Sequence, residues 1–367
     1  MTKILVVGQT PPPYGGQALS IQLMLDGKYK NVQFHHVRMA FSREMDDIGK
    51  FDFTKIWHLF VVIFSIIYSR LRHQTPILYY VPAGPNRIPM YRDFAILIFT
   101  RWLFKKTIFQ FRAAGISEIY DRLTLSERFL FRIAYFNVDL AIRLSKFTPD
   151  DGKFIQARKN IIVPNGLEDY YTKFGMPLKE KKNQLVLLFV GIIHESKGIM
   201  VLLDACRLLK ESGVIFKMKL MGKFESISFR HRVDEFINIK ELSNYVEFLG
   251  VQTANKKWET YKDADILVFP SYFESEAMPR TVLEAMSFQI PIVATKWRGI
   301  LSLVEEGKSG YLVPIKDSVA LAEKINVLFK DASLRESMGK RGREIYLERF
   351  TAETFWRNME EAFLSIA

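Results

Sequence analysis

The 367 residues are 49% apolar and 25% charged, enough chain for two ordinary domains with a core each, which excludes a small stapled scaffold and a disordered chain. The one cysteine, Cys206, rules out an intrachain disulfide or a cysteine-rich metal site, so a reducing compartment is expected. The net charge of +12 is uneven: residues 1–170 hold 23 Lys/Arg against 14 Asp/Glu, and residues 55–112 hold nine against one acid, Asp93.

The first apolar run, KILVVG, is too short for a secretory leader and ends in QTPPPYGG, so it reads as a strand and a loop. VQFHHV is the next strand candidate. Trp57 to Tyr68 is the longest apolar run; His58 and Ser65 interrupt it, and it falls short of the roughly 20 residues that span a bilayer. Basic residues stand beside large apolar ones in KIWHLFVVIFSIIYSRLR and FAILIFTRWLFKK, a mixture that suits an anionic membrane surface or a lipid phosphate. Arg70, Arg72, Arg101, Lys105 and Lys106 are the candidate contacts. Solvated faces of core helices and nucleic-acid binding are the competing readings; the aromatic content favours the membrane, and no nucleic-acid reading module is recognisable.

PILYYV, KTIFQF, VDLAIRL and NIIVP continue the strands, separated by amphipathic stretches, which is the βαβ pattern of a parallel sheet. Near 171–183 the chain turns polar (YTKFGMPLKEKKN). A second series follows: LVLLFVG, IFKMKLMG, YVEFLG, DILVFP, IPIVAT and GYLVP. Helical patterns over 317–331 and 333–348 precede a last helix over 351–365, whose Phe355, Met359 and Phe363 share a face. The expected fold is α/β, with two Rossmann-like doubly wound domains, 1–172 and 173–350, facing across a cleft, and a crossover helix, 351–367, packing back toward the first. Ligands of such sheets bind at the carboxyl ends of strands, so the chemistry belongs to the loops there.

Gly15 and Gly16 precede a helix and let a phosphate or sugar approach backbone N–H groups, although plain turn geometry uses glycine equally. After LVLLFVG, Lys197 ends a strand-to-helix loop, where a cation can hold a diphosphate. In DILVFPSYFESEAMPRTVLEAM, Glu276 lies in the loop and Glu284 falls inside a helix among Val282, Leu283 and Met286, where an acid is costly unless paired. A carboxylate accepting two vicinal sugar hydroxyls meets that need. Asp263-Ala264-Asp265 has the Asp-x-Asp form of metal-dependent sugar-nucleotide enzymes, but its strand follows the acids, which places the pair away from the ligand side. No metal is expected.

Read in series, PPxxGG, VPNG at 163–166, FVG…KG at 189–198, the spaced glutamates and PIVAT…GI…LVEEGKSGYLVP resemble the family 4 retaining glycosyltransferases of GT-B fold over nearly the whole chain. The resemblance implies that the backbone at Gly15, Gly16 and Gly191 approaches the donor and that Lys197 stabilises the leaving diphosphate. Glu276, with the backbone of Ala277, Met278, Pro279 and Arg280, would hold the donor sugar, Glu284 the ribose, and Asn165 and Gly166 the hinge side of the cleft. Where the family usually has an arginine after FVG the chain has Ile192. Where a histidine often follows the fourth strand, Gln110 and Arg112 stand, so Arg112, Arg280 or Arg298 is expected to supply the second cation. The implied enzyme moves a sugar from a UDP- or GDP-sugar to a membrane-held, polyprenyl-diphosphate-linked glycan on the cytoplasmic face, with no cofactor or metal. A sugar-nucleotide-binding partner of another transferase and a GT-B epimerase are the alternatives.

Overall fold

The structure, a computed structural model, describes residues 1–41, 53–175 and 184–367. The chain divides into two compact units, Met1–Gly166 with Ala352–Ala367, and Leu167–Thr351.

The first unit runs β1 (Thr2–Gly8), α1 (Gly16–Leu25), β2 (Val32–Arg38), α2 (Phe53–His73), β3 (Ile77–Tyr80), α3 (Arg87–Thr100), β4 (Lys106–Phe111), α4 (Leu125–Tyr135), β5 (Leu140–Arg143), α5 (Asp151–Phe154) and β6 (Lys159–Ile162). Its parallel sheet has the order β2-β1-β3-β4-β5-β6. Strands covered on both faces need apolar side chains on both, which is why β3 reads ILYY without a polar break and all four residues are buried. One core cluster lies under α2, α3 and α4, with Val62, Ile66, Phe94 and Phe131 in it.

The second unit contains α6 (Tyr170–Phe174), β7 (Leu185–Val190), α7 (Ile199–Glu211), β8 (Phe216–Met221), α8 (Ile227–Ile239), β9 (Val246–Gly250), α9 (Ala254–Asp263), β10 (Ile266–Phe269), α10 (Arg280–Ser287), β11 (Ile292–Thr295), β12 (Gly310–Val313), α11 (Ser318–Lys330) and α12 (Ala332–Arg349). The sheet order β12-β11-β10-β7-β8-β9 is that of a dinucleotide-binding fold, and it reverses direction between β7 and β10.

Each strand expected from the sequence is present. The final helix, α13 (Ala352–Leu364), returns to the first unit, where Phe355, Met359 and Phe363 are buried in the cluster on the sheet's other face with Ile21 and Tyr79. The division falls after Gly166, earlier than the residue-172 boundary read from composition, because α6 is tied to the second unit. Tyr170 stacks on Trp258 at 3.8 Å, and Arg343 Nη2 donates to Asp169 Oδ2 at 2.7 Å. The rest of the expected linker, 176–183, lies outside the described residues.

Candidate active site

Two loops meet where the second sheet reverses. After β7 a 3-10 turn, Glu195–Lys197, is capped by the His194 ring, whose Nδ1 accepts from Ser196 N at 2.9 Å. Gly198 then starts α7 at φ +78°, and a Cβ there would lie 2.1 Å from the Pro270 carbonyl oxygen, so only glycine lets this loop close onto the end of β10. Tyr272 N donates to Ser196 O at 2.8 Å and joins the two loops. The sharp approach repeats at Gly299, where a Cβ would sit 1.4 Å from Ala277 O.

Lys197 and Glu276 are thereby brought together. Lys197 Nζ donates to Glu276 Oε2 at 2.5 Å, Ser271 Oγ donates to the same oxygen at 3.0 Å, and the ammonium lies 4.5 Å from the Phe273 ring centroid. Both side chains are mostly covered, at 16% and 9% exposure, so water screens the pair weakly. Ala277 and Met278 are buried beside them, and Pro279, which has no N–H to offer, is the N-cap residue of α10.

Glu284 faces α9 from inside α10 and is 2% exposed. Lys257 Nζ donates to its Oε1 at 2.6 Å and Tyr261 OH to its Oε2 at 2.6 Å. Burial, and then the carboxylate beside it, raise the Tyr261 phenol well above its usual range, which keeps it a donor. Each Glu284 oxygen keeps acceptor capacity for a further donor. The expected pairing of this acid is present.

Residues 174–345 match the family model described as "Glycosyl transferases group 1". That match covers nearly the whole of the second unit. The putative colanic acid biosynthesis glycosyltransferase WcaL of Salmonella typhimurium is 32% identical over 197 residues, 52% of this chain and 46% of that protein. The capsular polysaccharide biosynthesis glycosyltransferase CapM of Staphylococcus aureus is 25% identical over 245 residues, 66% and 61%. The chain thus spans less than two thirds of the length of either relative. HepE (Alr3699) of Anabaena, solved with UDP and glucose, superposes with a TM-score of 0.71 over 100% of both chains at 18% identity, a likeness in the two-domain GT-B fold.

Within the second unit, Gly191 directly follows β7, and Ile192, where the resemblance led to an arginine, is 40% exposed. Arg280 opens α10 and acts electrostatically on Tyr261 and Tyr170, on the Glu284 side; Arg298 lies over the Trp297 ring at 5.3 Å. Asp265 Oδ2 accepts from Val186 N at 2.8 Å and Asp263 pairs with Lys219 at 2.8 Å, both at the amino end of β10. Lys257, Tyr261 and Ser271 went unnoticed in the sequence, although the first two stand four apart in KKWETYKD, one helical turn on one face.

The remaining candidates belong to the first unit. Gly15 is the N-cap of α1, and nothing lies within 4 Å of where a Cβ would stand, so the backbone is open to a ligand. Arg38, another residue the sequence did not mark, donates to Pro12 O at 2.6 Å and shapes that loop. Arg112 donates to Asn165 Oδ1 at 2.8 Å, just before the chain leaves the unit at Gly166. Gln110 differs from expectation: it is fully buried between Tyr79 and Met359, in the core under α13 instead of in the loop. Of the five basic candidates, Arg72 and Lys105 are exposed. Arg101 clamps the carbonyls of Ala134 and Asn137, Lys106 binds Ile366 O, and Arg70 donates to Leu103 O. Those three brace the fold where the charge pattern pointed to a surface.

Proposed function

We propose that the protein is a retaining hexosyltransferase that moves a sugar from a UDP- or GDP-sugar to a lipid-linked, polyprenyl-diphosphate type glycan in surface polysaccharide synthesis. It works without a metal, at the cytoplasmic face of a membrane. The observation that carries this reading is the Lys197–Glu276 pair at the reversal of the second sheet, where open α/β sheets bind nucleotides. The UDP bound by HepE and the polysaccharide roles in the names of WcaL and CapM support the donor and acceptor classes.

Negative charge builds on the departing diphosphate as the glycosidic bond breaks. Lys197, held in place by Glu276 and reinforced by the N-terminus of α7, meets that charge without reorganising, which is the kind of term worth about 10²–10³ in rate when one donor is removed. Glu276 shares its carboxylate with donor-sugar hydroxyls, and Glu284 accepts two ribose hydroxyls on the lone pairs that Lys257 and Tyr261 leave open. Front-face attack by the acceptor then needs positioning above all.

A thermal-shift panel of UDP, GDP, ADP and CMP with their sugar conjugates tests this, run on the intact protein and on Glu284→Ala. Ligand at roughly 100 times its dissociation constant adds about 2.7 kcal/mol, so one base series shifts the parent and not the variant. Lys197→Ala then loses about 10²-fold or more in transfer. No shift from any nucleotide, with neither transfer nor hydrolysis, would sink the reading.

A further inference from the structure

We propose that the outer face of the α2–α3–α4 layer is the surface on which the first unit lies against an anionic lipid bilayer. The inference rests on the reading of a lipid-linked acceptor for its purpose, but on separate observations for its substance.

The inner sides of the three helices supply Val62, Ile66, Phe94 and Phe131 to the core. Their opposite sides ought to be polar. Instead α2 exposes Trp57, Phe60, Phe64, Tyr68 and Leu71 at successive three- and four-residue steps, one continuous outward stripe. Tyr91 and Phe99 of α3, with Trp102 just beyond it, and Leu125, Phe129 and Ile133 of α4 do the same. Of the 29 exposed large apolar residues among those described, 15 lie between Ile56 and Ile133, about a fifth of the chain. A patch of this kind marks an interaction surface.

Charge identifies the occupant. The acids on the three helices are Asp93 and Glu127. Asp93 is fully buried, accepting from Tyr80, Tyr135 and Ala83 N and paired with Arg92; Glu127 is caged by Tyr91 and Thr124. Arg72, Arg87, Lys105 and Arg132 are exposed around the stripes. At one rim a groove of about 370 Å³ is lined by Trp102, Ile133, Lys105 and Arg158, the last paired with Asp139 at 3.2 Å. A second copy of the chain would set this cationic rim against another cationic rim. An anionic headgroup layer takes the cations while its acyl boundary takes the aromatic stripes. No described helix is long and apolar enough to cross the membrane, so the contact lies along the surface.

The test is flotation of the intact protein with vesicles of phosphatidylcholine alone or mixed with phosphatidylglycerol. Phe64→Glu/Phe129→Glu and Arg72→Glu/Lys105→Glu are run beside it, with far-UV dichroism and the nucleotide shift as checks that each variant is folded. The parent floats with the anionic vesicles, and each double variant loses about tenfold or more in binding, since each cation near such a surface is worth ~1 kcal/mol. A parent that stays unbound, or a Phe64→Glu/Phe129→Glu variant that floats equally well, overturns the proposal. So does a concentration-dependent dimer that the same variant abolishes with no vesicle binding, which would assign the face to a second copy. Flotation that survives while every nucleotide fails to shift the protein supports the docking surface and counts against the transferase reading alone.

Discussion

Lys257 and Glu284 form an ion pair whose partners differ in cover, 20% and 3% exposed. Buried pairs add little net stability, because desolvation offsets attraction, yet removing one partner strands the other. Lys257→Met therefore leaves a buried carboxylate held by Tyr261 alone and costs about 2 kcal/mol, the ~3–5 kcal/mol typical of such lesions discounted for the lysine's partial exposure. Denaturant unfolding measures it, and Lys257→Met/Glu284→Gln recovers part of the loss; equal midpoints for parent and single variant would contradict the argument. The same lysine holds the carboxylate proposed to take the ribose, so on that proposal the single variant also weakens nucleotide binding. Neither partner of Glu284 was legible in the sequence: ANKKWETYKD reads as a polar surface helix, and what Lys257 and Tyr261 do appears only once folding lays α9 against α10. Gln110 shows a similar limit, since nothing in KTIFQF announced that α13 covers it through Met359.

At the scale of elements, α4 begins with a capping box in which Thr124 and Glu127 satisfy each other's backbone groups. The Tyr91 hydroxyl, then the Thr124 backbone, hold the Glu127 carboxyl down at about 2, against a usual 4.5. A carboxyl whose pKa is depressed by folding stabilises fully above its unfolded value and loses that contribution as pH falls toward the folded one. The start of α4 therefore loosens from about pH 4.5 down to about pH 2, and Glu127→Gln flattens this part of the stability profile; a parallel acid limb in parent and variant would rule it out. The central strands β3, β7 and β10 were readable because strands covered on both faces are unbroken apolar runs. The outward stripe of α4 was not, since Leu125, Phe129 and Ile133 alternate with charged residues in LSERFLFRIAY and the sequence alone does not say which side the core takes.

At the scale of the whole chain, the second unit is inserted into the first. Its two ends lie together, with Leu167 N donating to Phe350 O at 2.9 Å and Leu167 bridging to Thr351. A fragment of residues 167–351 is thus expected to fold alone and keep the nucleotide shift, whereas residues 1–166 alone lack α13 and expose Ile21, Tyr79 and their neighbours. Adding a peptide of residues 352–367 restores the smaller fragment's dichroism and solubility; a stable, cooperative 1–166 would refute the dependence.

The placement of α13 also sets an order in time. Phe355, Met359 and Phe363 emerge from the ribosome after every residue of the second unit, so the amino-terminal unit, made first, is the last to close its core. Until then it carries an uncovered sheet face as well as its outward aromatic stripes. The nascent protein is most prone to aggregation just before α13 emerges, and a stop codon within α13 would leave an intact second unit attached to an unfinished partner.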